Sequence, residues 1–391
     1  PISWKSPFLM IGTKAYSGFD PFTGAGRTIN VSAGMIQSDE PCVAEGLPVL
    51  SPGLIDLQVN GFDGHDLNDG ELTAGKVEAL SKALCRVGVA AYLPTLITAV
   101  EADICLRLYA IQEAVETLPY SRQMIAGVHI EGPSISSKDG PRGAHPKEHI
   151  RSPSIEEFER WQEAAGGLVA MITIAPELPG AIDYLREIAT RGVIVALGHS
   201  DASEEDIYKA ADAGAQLSTH LGNGLAGTLP RHPNAVWAQL AEDRLSASLI
   251  LDGHHLPKST AQVMIRAKGI ERVVLVSDSV KFAGMEPGRY TSSIGGNIKV
   301  SSDRRVSISG TQFLAGSGVS LLDVVCDFSS FTGLSFSDGI TMATQNPARF
   351  LNRSFDLKPG NRADFILFDL DYDTGTAQPR DIIFGGESVI R

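Results

Sequence analysis

A chain of 391 residues with 43% apolar and 20% charged side chains has the composition of an ordinary folded protein and enough material for a sizeable core. Its formal net charge of −13 argues against a general nucleic-acid binder or a protein of anionic membrane surfaces, since both need a basic footprint. Four widely spaced cysteines without a CxxC pair indicate neither a disulfide framework nor a thiolate zinc site, no run approaches 18 apolar residues, and no secretory leader is visible, so a reducing, cytoplasmic compartment is expected.

Residues 1–48 alternate short apolar and polar runs with Gly and Pro turns, the pattern of a small β layer. From residue 49 the rhythm becomes strand, helix, strand. Eight strands are predicted at 49–59, 87–94, 124–131, 168–175, 192–198, 215–219, 245–251 and 272–277. Helical patterns fall between them at 72–86, 101–117, 154–165, 181–190 and 203–213; the last opens on the capping-box pattern Ser203-Glu-Glu-Asp206. This alternation predicts an α/β chain with a (β/α)8 TIM-like barrel, although a doubly wound open sheet alternates in the same way. Strands return at 289–298 and 305–308, with Gly295-Gly296 as a turn, followed by helical patterns at 319–331 and 339–351. The tail reads as strands at 358–368 and 381–389. It is expected to join the N-terminal layer, so that residues 1–48 and 351–391 form a discontinuous small β-sandwich domain around a hydrolase barrel at 49–350.

The candidate chemistry sits at strand ends, where barrel enzymes gather their active sites. Glu131 closes the third strand, His199 the fifth and His220 the sixth, while Asp278 follows the eighth. One carboxylate and two imidazoles form a three-donor set for a divalent ion with an open position; zinc suits it, and iron, cobalt and manganese accept the same donors. Such an ion lowers the pKa of water to ~7 and polarises a carbonyl, and Asp278 is placed to take the water proton and return it to a leaving amine. His129 shares the face of Glu131 but lies deeper, which suits a core or supporting role. His145 either reaches over a substrate or is an exposed turn histidine, and His254 and His255 either bind substrate or cap a strand. Asn223-Gly224 offers backbone N–H groups, and Arg231 offers a fork for phosphate or carboxylate unless it is a plain surface charge.

Taken together, Pro52-Gly-Leu-Ile-Asp56, His129-Ile-Glu-Gly-Pro133, Gly143-Ala-His145, Gly198-His-Ser200, Thr219-His-Leu-Gly-Asn223 and Asp252-Gly-His-His255 closely resemble the N-acetylglucosamine-6-phosphate deacetylases of the amidohydrolase superfamily. The resemblance runs in order over nearly the whole chain. It implies hydrolysis of N-acetyl-D-glucosamine 6-phosphate to glucosamine 6-phosphate and acetate. Carried over, the pattern makes Glu131, His199 and His220 the ligands of one divalent ion per subunit and Asp278 the general base and acid. His145 would engage the acetamido carbonyl; His255, Arg231, Asn223 and Gly224 would hold sugar and phosphate, in a homodimer with the phosphate site near the neighbouring subunit. Gln58 and Asn60 stand where two-metal relatives carry His-x-His, which favours a single metal. Gly222 and Gly224 replace larger residues common in the family, reshaping the pocket floor. Rival expectations are a deacetylase of another N-acyl amino sugar such as the galactosamine epimer, and a non-catalytic sugar-phosphate binder. A cyclic-amide hydrolase is disfavoured because no strand end carries a bridging lysine.

Overall fold

The computed structural model describes residues 12–292, 296–311, 313–351 and 353–390; the first part of the expected N-terminal layer and the Gly295 half of the expected turn lie outside them. Eight parallel strands form one sheet: β1 (Leu54–Val59), β2 (Val89–Ile97), β3 (Val128–Glu131), β4 (Val169–Ile174), β5 (Ile194–Leu197), β6 (Leu217–Ser218), β7 (Ser246–Leu249) and β8 (Val273–Leu275), hydrogen-bonded in that spatial order. Every residue of β1, β3 and β5 is buried, which is why barrel strands read as apolar runs rather than as alternation. The sheet closes just beyond β8. Val59 pairs in parallel with Ser279, and the Asp278 N–H donates to the Gln58 carbonyl at 3.0 Å.

Helices Glu101–Thr117, Ile155–Ala164, Ala181–Thr190, Glu204–Asp212, Ala235–Ala241 and Lys258–Lys268 alternate with these strands. The capping box is present: Ser203 accepts from the Asp206 N–H, and Asp206 accepts from the Ser203 N–H.

Several boundaries differ from the sequence reading, among them the tail strands, which run at Phe365–Asp371 and Thr376–Phe384 rather than 358–368 and 381–389. The run 49–59 is two strands, Val49–Pro52 and β1, because a Cβ at Gly53 would lie 2.5 Å from that of Ala90; glycine admits the close approach at which the chain changes sheets. The strand expected from 124 begins only at Val128, and Pro119–Met124 is a short helix with proline in its first turn, where its missing N–H costs nothing. The helical pattern 339–351 resolves into Phe336–Ala343 and Gln345–Ala348.

The chain divides into two compact units. One is formed by the residues up to Ile55, Ala83–Ala91 and those from Leu321 onward; the other by Asp56–Lys82 and Tyr92–Ser320. In the first, strands from both termini build a seven-stranded sheet whose neighbours include Phe365–Asp371 beside Val49–Pro52, over a core with Ile29, Ile36, Leu50, Phe365 and Ile383. The helices Leu321–Thr332 and Phe336–Ala343, which the sequence placed within 49–350, cluster with this sheet. In the second unit, Gly288–Ser292, Gly296–Val300 and Val306–Ile308 form an antiparallel sheet packed on Phe282. No helix among the described residues is long and apolar enough to cross a membrane.

Candidate active site

His199, His220 and Asp278 each leave their strand with positive φ, at 50°, 31° and 47°. Side chains other than glycine rarely adopt this region, and such strain persists where surrounding bonds fix it. Those bonds are present: Ser136 N–H donates to the His199 carbonyl, His220 N–H to Ser248 Oγ, and Asp278 N–H to the Gln58 carbonyl.

The three predicted metal donors converge. Glu131 Oε1 lies 3.0 Å from His220 Nε2 and 3.2 Å from His199 Nε2, and the two Nε2 atoms are 3.0 Å apart. Donors about 2.1 Å from one tetrahedral ion stand about 3.4 Å from each other, so this triangle fits a small divalent cation. The His199 Nδ1–H donates to the Pro141 carbonyl at 2.9 Å, which leaves Nε2 as the lone-pair atom facing the cluster. A Cβ at Gly224 would come within 2.9 Å of that ring, and one at Gly143 within 3.2 Å, so both glycines let the chain close over His199. Burial works to raise the Glu131 pKa, but the hydrogen bonds and charges of the two histidines outweigh it and hold the carboxyl well below its ordinary value. Burial likewise works to lower the His220 pKa, and Glu131 overcomes it, raising the ring above its ordinary value.

Asp278 lies beside this cluster, half-buried at the cavity, and desolvation together with the charge of Glu131 pushes its carboxyl up to about 6. The Asn60 side-chain N–H donates to its Oδ1 at 2.7 Å. Gln58 donates to Glu131 Oε1 at 2.9 Å. The two amides thus act as donors to the carboxylates, a role invisible when they are read only as missing metal ligands.

His145 is buried, not an exposed turn residue. Its Nδ1 lies 2.9 Å from Thr98 Oγ1 and its Nε2 3.9 Å from Glu131 Oε2, and burial, reinforced by His199, pushes its pKa down to about 3. His255 Nδ1 meets the buried Asp252 carboxylate at 2.7 Å, whereas His254 Nε2 donates to the Asp303 carbonyl at 2.9 Å. His129 is a core histidine between Thr95 and Thr173, its pKa pushed down to about 4 by burial.

A cavity of ≈ 440 Å³ opens onto Glu131, His145, His199, His220, His255 and Asp278. Asn223 and Gly224 also line it, and an apolar wall comes from Phe282, Ile308 and Leu314. Arg231 is exposed and does not line this cavity. Among the described lining residues none is a lysine or arginine.

Comparison with known proteins gives a consistent result. The amidohydrolase family matches residues 49–389. N-acetylglucosamine-6-phosphate deacetylase of Bacillus subtilis is 31% identical over 83% of this chain and 81% of its own length. N-acetylgalactosamine-6-phosphate deacetylase of Escherichia coli O157:H7 is 33% identical over 87% and 90%. Among solved structures, a mutant N-acetyl-D-glucosamine-6-phosphate deacetylase of Mycobacterium smegmatis in complex with N-acetyl-D-glucosamine-6-phosphate superposes with a TM-score of 0.83 at 26% identity, covering 94% of this chain and 95% of that one.

Proposed function

The chain belongs to the amidohydrolase family, and from that premise we propose that it hydrolyses N-acetyl-D-glucosamine 6-phosphate to D-glucosamine 6-phosphate and acetate. The observation that carries this reading is the triangle of Glu131, His199 and His220 donor atoms, about 3 Å on each side, beside the half-buried carboxyl of Asp278. A divalent ion held there, zinc first, supplies Lewis acidity to a water or carbonyl oxygen. Asp278 takes the proton of the attacking water and passes it to the departing amine, while Asn60 holds its Oδ1 and leaves Oδ2 to carry that proton. His145 engages the acetamido oxygen. His255, oriented by Asp252, binds the sugar, and Asn223 and Gly224 receive the phosphate with Arg231. Because Arg231 does not line the cavity of its own chain, the proposal includes a homodimer in which the neighbouring copy completes the phosphate site.

The named relatives split between glucosamine and galactosamine epimers at similar identity, so the epimer is the second reading. The test is acetate release by metal-reconstituted protein from both 6-phosphates and from N-acetylglucosamine itself. Preference for the glucosamine phosphate is expected; turnover of the galactosamine epimer alone would move the substrate and keep the chemistry. Asp278→Asn should lose about 10²-fold or more in kcat while retaining metal. Near-normal turnover by that variant would remove Asp278 from the mechanism.

A further inference from the structure

Two imidazoles in this cavity have their Nδ1 atoms engaged by groups of opposite chemistry. A carbonyl oxygen only accepts, so the Pro141 carbonyl, 2.9 Å from His199 Nδ1, fixes the proton on Nδ1 and the lone pair on Nε2. Thr98 Oγ1, 2.9 Å from His145 Nδ1, is a hydroxyl and can do either. Thr98 is 1% exposed, and among the described residues His145 Nδ1 is the only hydrogen-bond partner of its hydroxyl. Were the imidazole to donate, the hydroxyl hydrogen would be buried with no acceptor, an arrangement folded proteins avoid. The pairing that satisfies both groups has Thr98 O–H donating to Nδ1. The one proton of the neutral ring then sits on Nε2. That atom is 3.9 Å from Glu131 Oε2, beyond hydrogen-bond reach, and among the described residues its N–H has no acceptor at the cavity wall. The chain also makes room for the hydroxyl: a Cβ at Gly132, next to Glu131, would lie 2.2 Å from Thr98 Oγ1.

We propose that Thr98 is a positioning residue that makes His145 an Nε2–H donor to the acyl carbonyl oxygen and keeps that ring out of the metal-ligand set. The same kind of side chain thereby serves as ligand at His199 and as donor at His145, the difference being set by one carbonyl and one hydroxyl. The role given to the N–H rests on the deacetylation proposed above, whereas the ring assignment does not.

The test uses full-length, zinc-loaded protein with 15N-labelled histidine, the His145 signals being identified by their loss in His145→Gln. The expected spectrum has His145 protonated on Nε2 and His199 on Nδ1. Thr98→Val should lower kcat by about tenfold or more, with KM and bound zinc within about twofold of wild type, because the donor is misaligned while the ion stays. Thr98→Ser should restore kcat to within about threefold. A wild-type His145 protonated on Nδ1, or Thr98→Val with unchanged turnover, would overturn the proposal. If the valine variant loses zinc or fails to fold, Thr98→Ser and the wild-type spectrum decide: a serine variant as impaired as valine counts against the proposal. A wild-type protein that releases no acetate would remove the substrate reading, while the spectrum would still settle the ring.

Discussion

Asp56 is a buried carboxyl with only half of its needs met. Its Oδ1 accepts from the Gln58 and Ser277 N–H groups at 3.3 and 3.2 Å, and its Oδ2 is buried with no hydrogen-bond partner among the described residues. Burial pushes its pKa up to about 7, and Asp278 up to about 6. The sign of the linkage follows. The native state keeps protons that the unfolded chain releases near pH 4, so this stabilisation is complete below that value and is lost as pH rises through the folded values. Each such group therefore contributes a loss of about 1.4 kcal/mol per pH unit while the pH lies between its unfolded and folded values, opposed below about pH 6.5 by the depressed values of His129 and His145, which make the fold gain stability over the same range. Asp56→Asn removes one of the falling contributions, so in thermal unfolding of the metal-free protein its stability should rise with pH more steeply than wild type between about pH 4 and 7. A variant with the wild-type slope would show that Asp56 is ionised in the fold. This scale was the least legible in the sequence. Glu131, His199, His220 and Asp278 could be picked out because each ends a recognisable apolar run, but Thr98 and the donor roles of Gln58 and Asn60 are defined by partners 47 to 218 residues away.

At the scale of elements, the helix Glu204–Asp212 is held at its start by bonds that the sequence announces. Ser203→Ala removes the acceptor for the Asp206 N–H and should cost about 1 kcal/mol in chemical denaturation, with kcat unchanged. A loss below a few tenths would mean that water replaces the cap. The buried strands were legible for the same reason that they are stable: both faces are covered, so they admit almost only apolar residues. What escaped were breaks inside apolar stretches. Gly53 divides one run between two sheets because of an approach to Ala90, a contact that no local pattern encodes. Pro119–Met124 is too short for a 3.6-residue period to register. Arg231 matched a motif, but its exposure depends on a loop path that the motif does not specify.

For the whole molecule, a net charge of −13 and a cavity whose described lining carries Asp66, Glu131 and Asp278 but no lysine or arginine set a repulsive field for a phosphorylated sugar. Screening should relieve it, since the Debye length shrinks from about 30 Å at 0.01 M to about 8 Å at 0.15 M salt. Over that range kcat/KM for the 6-phosphate is expected to rise about two- to threefold, while that for the unphosphorylated sugar stays level. A fall with salt would show that the attraction of Arg231 in the proposed phosphate site outweighs that field. The closure of the barrel adds an order in time. The segment bearing Asp278 pairs with the residues around Gln58, which precede it by most of the length of the second unit, whereas the three proposed metal donors lie between positions 131 and 220. During synthesis all three proposed donors have been made before Asp278 exists, and Asp278 takes its place only when the two ends of the sheet meet, a contact of long sequence separation and hence a late one. On the roles proposed above, the ion's donors are all present in a nascent chain before its proton-transfer group, and that chain is expected to stay inert until its barrel is shut.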